Sequence, residues 1–134
     1  MTQSLQPPGW ARPKGYSNGI ATKGGTTVFI AGQVGFNPQG TIEEKTFQGQ
    51  FRQALKNILA VLAEAGGRPE HIVRMTWYIV DKNEYLGAIR EVGAAYRELI
   101  GKHYPTMTVV QVGGLVEDGA QLEIEATAVI PEAA

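Results

Sequence analysis

Hydrophobic residues recur at steps of three and four over about residues 46–65, which is the spacing of a helix that buries one face. The apolar positions of this stretch are Phe47, Phe51, Ala54, Leu55, Ile58, Val61, Leu62 and Ala65. Thr41 and Thr46 are alternative residues for capping its start, and Gly66-Gly67 followed by Pro69 ends it. The pattern predicts one long amphipathic helix.

A second helix is predicted after residue 81. Asp81 and Glu84 have the spacing of a capping box, with the aspartate at the N-cap and the glutamate at the third helical position. The apolar stripe then runs through Leu86, Ile89, Val92 or Gly93, Tyr96, Leu99 and Ile100. Gly101 ends this helix.

Alternating or β-branched segments predict the strands. They cover residues 16–22, 26–31, 72–80, 107–112 and 121–130. In the segment 72–80, Val73, Met75, Trp77 and Ile79 fall on one face and the remaining residues on the other. Asp118-Gly119 predicts a hairpin turn between the last two strands.

Two amphipathic helices among these strands predict an α+β fold, a two-layer sandwich with both helices on one face of the sheet. The length of 134 residues fits a single domain over residues 1–134, with residues 1–14 as a loose N-terminal arm. The other sheet face would expose large residues, either Met75 and Trp77 or Tyr78 and Val80, and such a face indicates an oligomer.

Composition narrows the function. The formal net charge of −1 argues against a nucleic-acid partner held by many phosphate contacts. The absence of cysteine excludes disulfides and thiolate chemistry. We find no signal-peptide pattern and no apolar stretch of the roughly 20 residues that a membrane span needs, so a cytoplasmic location without membrane contact is expected.

Several segments, taken in order from about residue 13 to 129, resemble the RidA/YjgF family. They are Gly15-Tyr16-Ser17-Asn18-Gly19, Phe29-Ile30-Ala31-Gly32-Gln33-Val34-Gly35, the helix segment 50–62, Ile72-Val73-Arg74-Met75-Thr76, and Glu123-Ile124-Glu125-Ala126-Thr127-Ala128-Val129. The resemblance implies a chorismate-mutase-like fold with a mixed sheet of about six strands. It also implies a homotrimer that buries the open sheet faces and binds small molecules in clefts between subunits. The implied activity is cofactor-free hydrolysis of reactive enamines and imines to keto acids and ammonia.

One residue that the resemblance implies is missing. The family's deaminases bind the substrate carboxylate with an Arg in a Pro-Ala-Arg-Thr segment, and here the segment reads Pro105-Thr106-Met107-Thr108. A thioether cannot replace the charge-assisted pair that a guanidinium makes with a carboxylate. The family's Ser-Gly-Gln reads Ala31-Gly32-Gln33. Met107 and Ala31 together predict a more apolar pocket and an uncharged or differently charged ligand.

The remaining site residues are also carried over from the resemblance. Glu123 matches the glutamate that orients the attacking water; the alternative is a solvated or inter-subunit carboxylate. Glu125, about 7 Å further along the strand by its geometry, is more often a structural hydrogen-bonding group. Residues that would bind substrate are Tyr16, Ala31, Gly32, Met107, Thr108 and Val109. For Tyr16 the alternative is simple packing, and for Gly32 it is a strand-end glycine.

Three other residues are weighed against ordinary structural roles. Trp77 is expected in the core or the trimer interface rather than as a ligand platform. His71 and His103 have no partner at a metal-ligand spacing, so no metal site is expected. His103 precedes the strand that contains Met107, and we treat it as a loop histidine that has the alternative of reaching the cleft.

Three functions remain open at this point. The leading hypothesis is a cofactor-free hydrolase of an enamine or imine, with Glu123 positioning water. The second is a non-catalytic, chaperone-like or metabolite-binding trimer, which the Met107 replacement favours. The third is an endoribonuclease, since some members of the family were described in this way.

Overall fold

The computed structural model describes residues 2–133, which form two β-sheets, three α-helices and one 3₁₀ turn. In chain order the elements are β1 (Thr2–Leu5), β2 (Gly19–Thr22), β3 (Thr26–Gln33), α1 (Phe47–Glu64), a 3₁₀ turn (Pro69–His71), β4 (Ile72–Ile79), α2 (Lys82–Gly87), α3 (Ile89–Leu99), β5 (Thr106–Gln111) and β6 (Leu122–Ile130).

The main sheet has four strands in the order β3-β6-β4-β5. Strands β4 and β5 are parallel, whereas β6 is antiparallel to both of its neighbours, so the sheet is mixed. The predicted α+β class is confirmed. The six strands do not form one sheet, however, because β1 and β2 pair separately as a two-stranded sheet. Gly24 and Gly25 turn the chain between β2 and β3 at φ 70° and 78°, a region that favours glycine.

The expectation of a loose arm over residues 1–14 is wrong for β1. Thr2 pairs with Thr22 and Leu5 with Gly19 in an antiparallel register. Gly19 allows this approach, because a Cβ built there would lie 3.3 Å from the Leu5 Cβ. Glycine has a low strand propensity, but here Gly19 leaves the space in which the Leu5 side chain packs.

The predicted hairpin at Asp118-Gly119 is also wrong. Gly119 does have a left-handed φ of 83°, but β5 and β6 are not neighbours, since β4 lies between them. Strand β5 pairs with one edge of β4 and β6 with the other. The turn therefore belongs to a connection that crosses past β4 rather than to a hairpin.

Both predicted helices form on one side of the main sheet. In α1 the Thr46 side chain accepts a hydrogen bond from the Gly49 N–H at 3.1 Å, so Thr46 rather than Thr41 is the N-cap. The second predicted helix is two helices, α2 and α3, that meet at Ala88. Asp81 caps α2 by accepting from the backbone N–H groups of Asn83 and Glu84 at 2.8 and 3.4 Å.

A β-bulge decides which residues of β4 enter the core. The register with β6 shifts between Ile72 and Arg74, so Val73 is the extra residue. Ile72 therefore joins Met75, Trp77 and Ile79 on the buried face, in the place that simple alternation assigns to Val73. Trp77 is 7% exposed and contacts Phe51 edge-on, with ring centroids 4.8 Å apart, as expected of a core residue.

Within residues 2–133, no helix lies on the opposite face of the main sheet. Tyr78, Thr76 and Arg74 of β4 point to this face, which settles the two alternatives in favour of the Tyr78 side. Phe29 of β3 lies on the same face and is 80% exposed. We call this surface the open face. Among residues 2–133, no helix combines the length and the apolar character needed to cross a membrane.

Gln50 lies on the polar side of α1 by pattern, yet it is 2% exposed. Its side-chain amide donates to the carbonyl oxygens of Glu44 and Gly119 at 3.1 and 3.0 Å. Its Oε1 accepts from the Gln121 N–H at 2.8 Å. One side chain therefore joins helix α1 to the segments before it and before β6.

We predict that Gln50→Leu lowers the free energy of unfolding by about 2–4 kcal/mol, because a side chain of similar size leaves buried backbone groups without partners. Chemical denaturation measures the loss. Gln48→Leu, two residues away in α1 and more accessible, is the matched control and should change stability little. Equal stability of the two variants would contradict this account of Gln50.

Candidate functional site

The alternation of β6 places its two glutamates on the open face. Leu122 and Ile124 are buried under the helices, whereas Glu123 and Glu125 are half-buried on the other side. Glu123 is paired in register with Tyr78, and Glu125 with Thr76. Both carboxylates are thus fixed to the middle of a four-stranded sheet, which is a rigid position for a functional group.

Glu123 lies directly against Gly32. A Cβ built on Gly32 would be 1.9 Å from the Glu123 Oε2, so no other residue type fits there without moving the carboxylate. The register of β3 shifts between Ile30 and Gln33, and this irregularity contains Ala31 and Gly32. The bulged backbone therefore approaches the carboxylate closely, as the glycine permits.

Glu125 has a different environment from Glu123. Its Oε1 accepts a hydrogen bond from the Tyr78 hydroxyl at 2.5 Å. This hydrogen bond raises the pKa of the Tyr78 phenol, with a further contribution from desolvation. In contrast, the Glu123 side chain makes no hydrogen bond or ion pair within residues 2–133. The partnered residue fits the structural role, and the carboxylate without a partner is available for chemistry.

A cavity of about 410 Å³ lies on the helix side of the sheet, beside β5. Met107 and Val109 line it from β5, and Tyr16 lines it from the segment before β2. Ser17 holds Tyr16 in place, because its N–H donates to the Pro105 carbonyl at 3.0 Å and its hydroxyl donates to the Tyr104 carbonyl at 2.5 Å. We call this space the aromatic cavity, since its walls include Trp77, Tyr85, Tyr96 and Tyr104.

The predicted site residues therefore separate into two groups within one chain. Glu123, Ala31 and Gly32 belong to the open face, and Thr108, paired with Thr76, points the same way. Tyr16, Met107 and Val109 belong to the aromatic cavity on the opposite side. The structure does not bring the candidate catalytic carboxylate and the candidate binding residues into one pocket of a single chain.

Some residues of the aromatic cavity were not predicted from the sequence. Tyr85 lines it from α2, and Tyr104 lines it from the loop before β5. Two charged residues, Lys14 and Arg97, also line it. The available signal was the run of aromatic residues between 77 and 104. His103 does not reach the cavity lining, and its Nε2 lies 2.6 Å from the Ile72 carbonyl oxygen, which supports a structural role.

Comparison with known proteins supports the resemblance seen in the sequence. The family model described as endoribonuclease L-PSP matches residues 10–130. A candidate reactive intermediate deaminase of Escherichia coli, TdcF, is 38% identical over 108 residues, which cover 78% of this chain and 80% of that protein. The human 2-iminobutanoate/2-iminopropanoate deaminase is 30% identical over 104 residues, which cover 77% of this chain and 72% of the human protein.

Solved structures agree with the sequence matches. The Rid-family protein YyfB from Yersinia pestis, of unknown function, superimposes with a TM-score of 0.82 and 30% identity, covering 96% of this chain and 98% of that one. E. coli TdcF with bound serine gives a TM-score of 0.67 and 33% identity, covering 96% and 98%. Both similarities extend over nearly the whole chain.

We predict that Gly32→Ala displaces the Glu123 carboxylate while the protein stays folded, because the new methyl group would occupy the position of Oε2. A crystal structure of the variant measures the shift. Gly87→Ala is the matched control, since a Cβ there meets no atom within 4 Å. An unmoved Glu123 carboxylate in the Gly32→Ala variant would show that the close approach is not a constraint.

Proposed function

Because the chain belongs to the RidA/YjgF family, we propose that it is a cofactor-free hydrolase that converts a reactive enamine or imine into a carbonyl compound and ammonia. The names of two relatives, a reactive intermediate deaminase and an iminobutanoate/iminopropanoate deaminase, support this class of reaction. The observation that carries the proposal is the Glu123 carboxylate, which lies on an inner strand against Gly32 and has no hydrogen-bond or ion-pair partner within residues 2–133.

In the proposed reaction Glu123 orients and deprotonates a water molecule. The water oxygen forms a bond to the imine carbon, the electron pair of the C=N double bond moves to the nitrogen, and the carboxylic acid formed at Glu123 gives its proton to that nitrogen, so that a carbinolamine forms. Glu123 then takes the proton of the carbinolamine hydroxyl and passes it to the amino nitrogen, the C–N bond breaks, and ammonia leaves as the carbonyl group forms. A carboxylate that exchanges a proton in this way serves as general base and then as general acid.

We further propose that the functional unit is a homotrimer with its sites at the subunit contacts. Two observations support the assembly. The open face exposes Phe29, and no helix in the described part of the chain covers it. The carboxylate and the aromatic cavity lie on opposite sides of one sheet, so a neighbouring subunit is needed to place a cavity next to a carboxylate.

Met107 makes this chain differ from the deaminase pattern. The position is half-buried in the wall of the aromatic cavity, and it offers a substrate polarizable apolar contact instead of charge. An acidic group of the substrate would therefore have to be bound by a group other than the side chain of Met107.

The test of the catalytic proposal is turnover by Glu123→Gln. We expect the wild-type protein to accelerate hydrolysis of imines generated in solution by an amino-acid oxidase, and the variant to lose about 100-fold or more, the usual contribution of a general base. Semicarbazide added to the assay competes with the protein for the imine and converts it into a semicarbazone. A slower formation of the semicarbazone therefore measures the rate of imine hydrolysis.

Glu117→Gln, an identical change in an exposed loop, is the control and should retain wild-type activity. Full activity in Glu123→Gln would remove Glu123 from the mechanism. No acceleration by the folded wild type, over imines with charged, apolar and aromatic side chains, would remove the hydrolase proposal itself.

The trimer has a separate test. We predict that Phe29→Lys dissociates the assembly, because it places an unpaired charge on the open face that the assembly would bury. Sedimentation velocity measures the mass of the particle. Leu86→Lys changes a residue that is 51% exposed on α2, away from that face, and should leave the trimer intact. A monomeric wild-type protein would contradict the proposal.

Met107 also favours the second candidate, a non-catalytic trimer that binds a small metabolite or a client protein. In that case Glu123→Gln would leave ligand binding unchanged, and no imine in the panel would be hydrolysed. The endoribonuclease alternative rests on the description of the family model, and the net charge of −1 gives it no support from this chain.

A further inference from the structure

The charged residues in the wall of the aromatic cavity are cationic. Lys14 and Arg97 line it, and no Asp or Glu among residues 2–133 belongs to the same lining. All other polar groups there are phenols, backbone groups and one indole N–H. A cavity with this charge balance favours a ligand that carries an anionic group.

Arg97 is free to bind such a group. The acidic neighbour in sequence, Glu98, is engaged with Arg52 across the helix pair at 2.5 Å. The positions one helical turn away from Arg97 in either direction are Gly93, Ala94, Ile100 and Gly101, none of which is acidic. Arg97 itself makes no ion pair within the described part of the chain.

Gly93 makes room for the Arg97 side chain beside the cavity. A Cβ built on Gly93 would lie 3.3 Å from the Arg97 Nη1, and both residues line the cavity. The guanidinium therefore lies beside its own preceding turn of α3, at the exposed edge of the cavity. A larger residue at position 93 would crowd it.

The remaining walls suit a flat ring. Tyr96 and Tyr104 are stacked with centroids 6.2 Å apart and an interplanar angle of 7°. The Tyr96 hydroxyl donates to the His103 carbonyl at 2.6 Å, which fixes the ring. Trp77 adds a buried indole N–H that has no hydrogen-bond partner within residues 2–133, and such a group donates only. Aromatic rings bind flat apolar groups by offset or edge contacts.

We propose that Arg97 supplies the carboxylate recognition that Met107 cannot, and that the aromatic cavity selects imines or keto acids with an aromatic side chain. The choice of imines as substrates rests on the proposed function, whereas the binding of an aromatic carboxylate can be measured without any turnover. The volume of about 410 Å³ lies in the range of pockets that enclose small organic ligands. Arg97 is a specificity-determining residue in this account, and Lys14 adds a second positive charge at the rim.

Calorimetric binding to the intact protein tests the inference with three stable probes. They are 3-phenylpropionate, its neutral analogue 3-phenylpropanamide, and propionate, which lacks the ring. We expect 3-phenylpropionate to bind at least tenfold more tightly than either of the others, since one probe lacks the charge and the other lacks the apolar ring.

Arg97→Gln should weaken the binding of 3-phenylpropionate roughly tenfold or more, the size expected for a lost charge-assisted hydrogen bond. The affinity for 3-phenylpropanamide should not change. Arg90→Gln removes the same charge from an exposed position of α3 that does not line the cavity, and it should change neither affinity. A loss of affinity that is equal for both probes in Arg97→Gln, or equal in the two variants, would overturn the role of Arg97.

Binding and turnover separate this inference from the proposed function. If wild-type protein binds 3-phenylpropionate through Arg97 but hydrolyses no imine, the recognition site stands and the hydrolase proposal fails. If imines are hydrolysed in a Glu123-dependent way while propionate binds as tightly as 3-phenylpropionate, the hydrolase proposal stands and the aromatic selectivity is wrong.

Discussion

The helices cover only one face of the four-stranded sheet, and the rest of the molecule depends on this constraint. Side chains of a strand alternate between faces, so burying Leu122, Ile124 and Ala126 of β6 under the helices leaves Glu123 and Glu125 on the open face. The pairing of β6 with strands on both sides prevents it from shifting register. The packing of one face of β6 under the helices therefore both stabilises the core and determines where the two carboxylates lie.

The same constraint places the candidate site residues of one chain on opposite sides of the sheet. Met107 and Val109 follow the helix side of β5, and they face a cavity closed by α3, whereas the carboxylate of Glu123 faces away from it. Within the open face the roles also divide, because Glu125 is held by Tyr78 and Glu123 is held only by its contact with Gly32. A subunit interface is the simplest way to join the two halves, and it would also cover Phe29.

Local features were predictable from the sequence, and non-local ones were less so. The bounds of α1, the caps at Thr46 and Asp81 and the faces of β6 follow from spacing and side-chain chemistry within a few residues. The pairing of β1 with β2, the insertion of β6 between β3 and β4, and the bulge at Val73 depend on partners far along the chain. For the proposed site, the family resemblance predicted roles for Glu123, Tyr16 and Met107, but it gave no signal for Arg97, whose proposed role depends on its position beside Gly93.

Mixing two inactive variants tests the shared site most directly. Glu123→Gln disables the open-face half, and Tyr16→Asp, at a partly exposed position, disables the cavity half. Trimers reassembled from equal amounts of both should recover roughly a quarter of wild-type imine hydrolysis, because random association pairs the intact halves of two different subunits at that frequency. No recovery, from mixed trimers shown to have formed, would contradict the account, since it would mean that each chain supplies both halves of its own site.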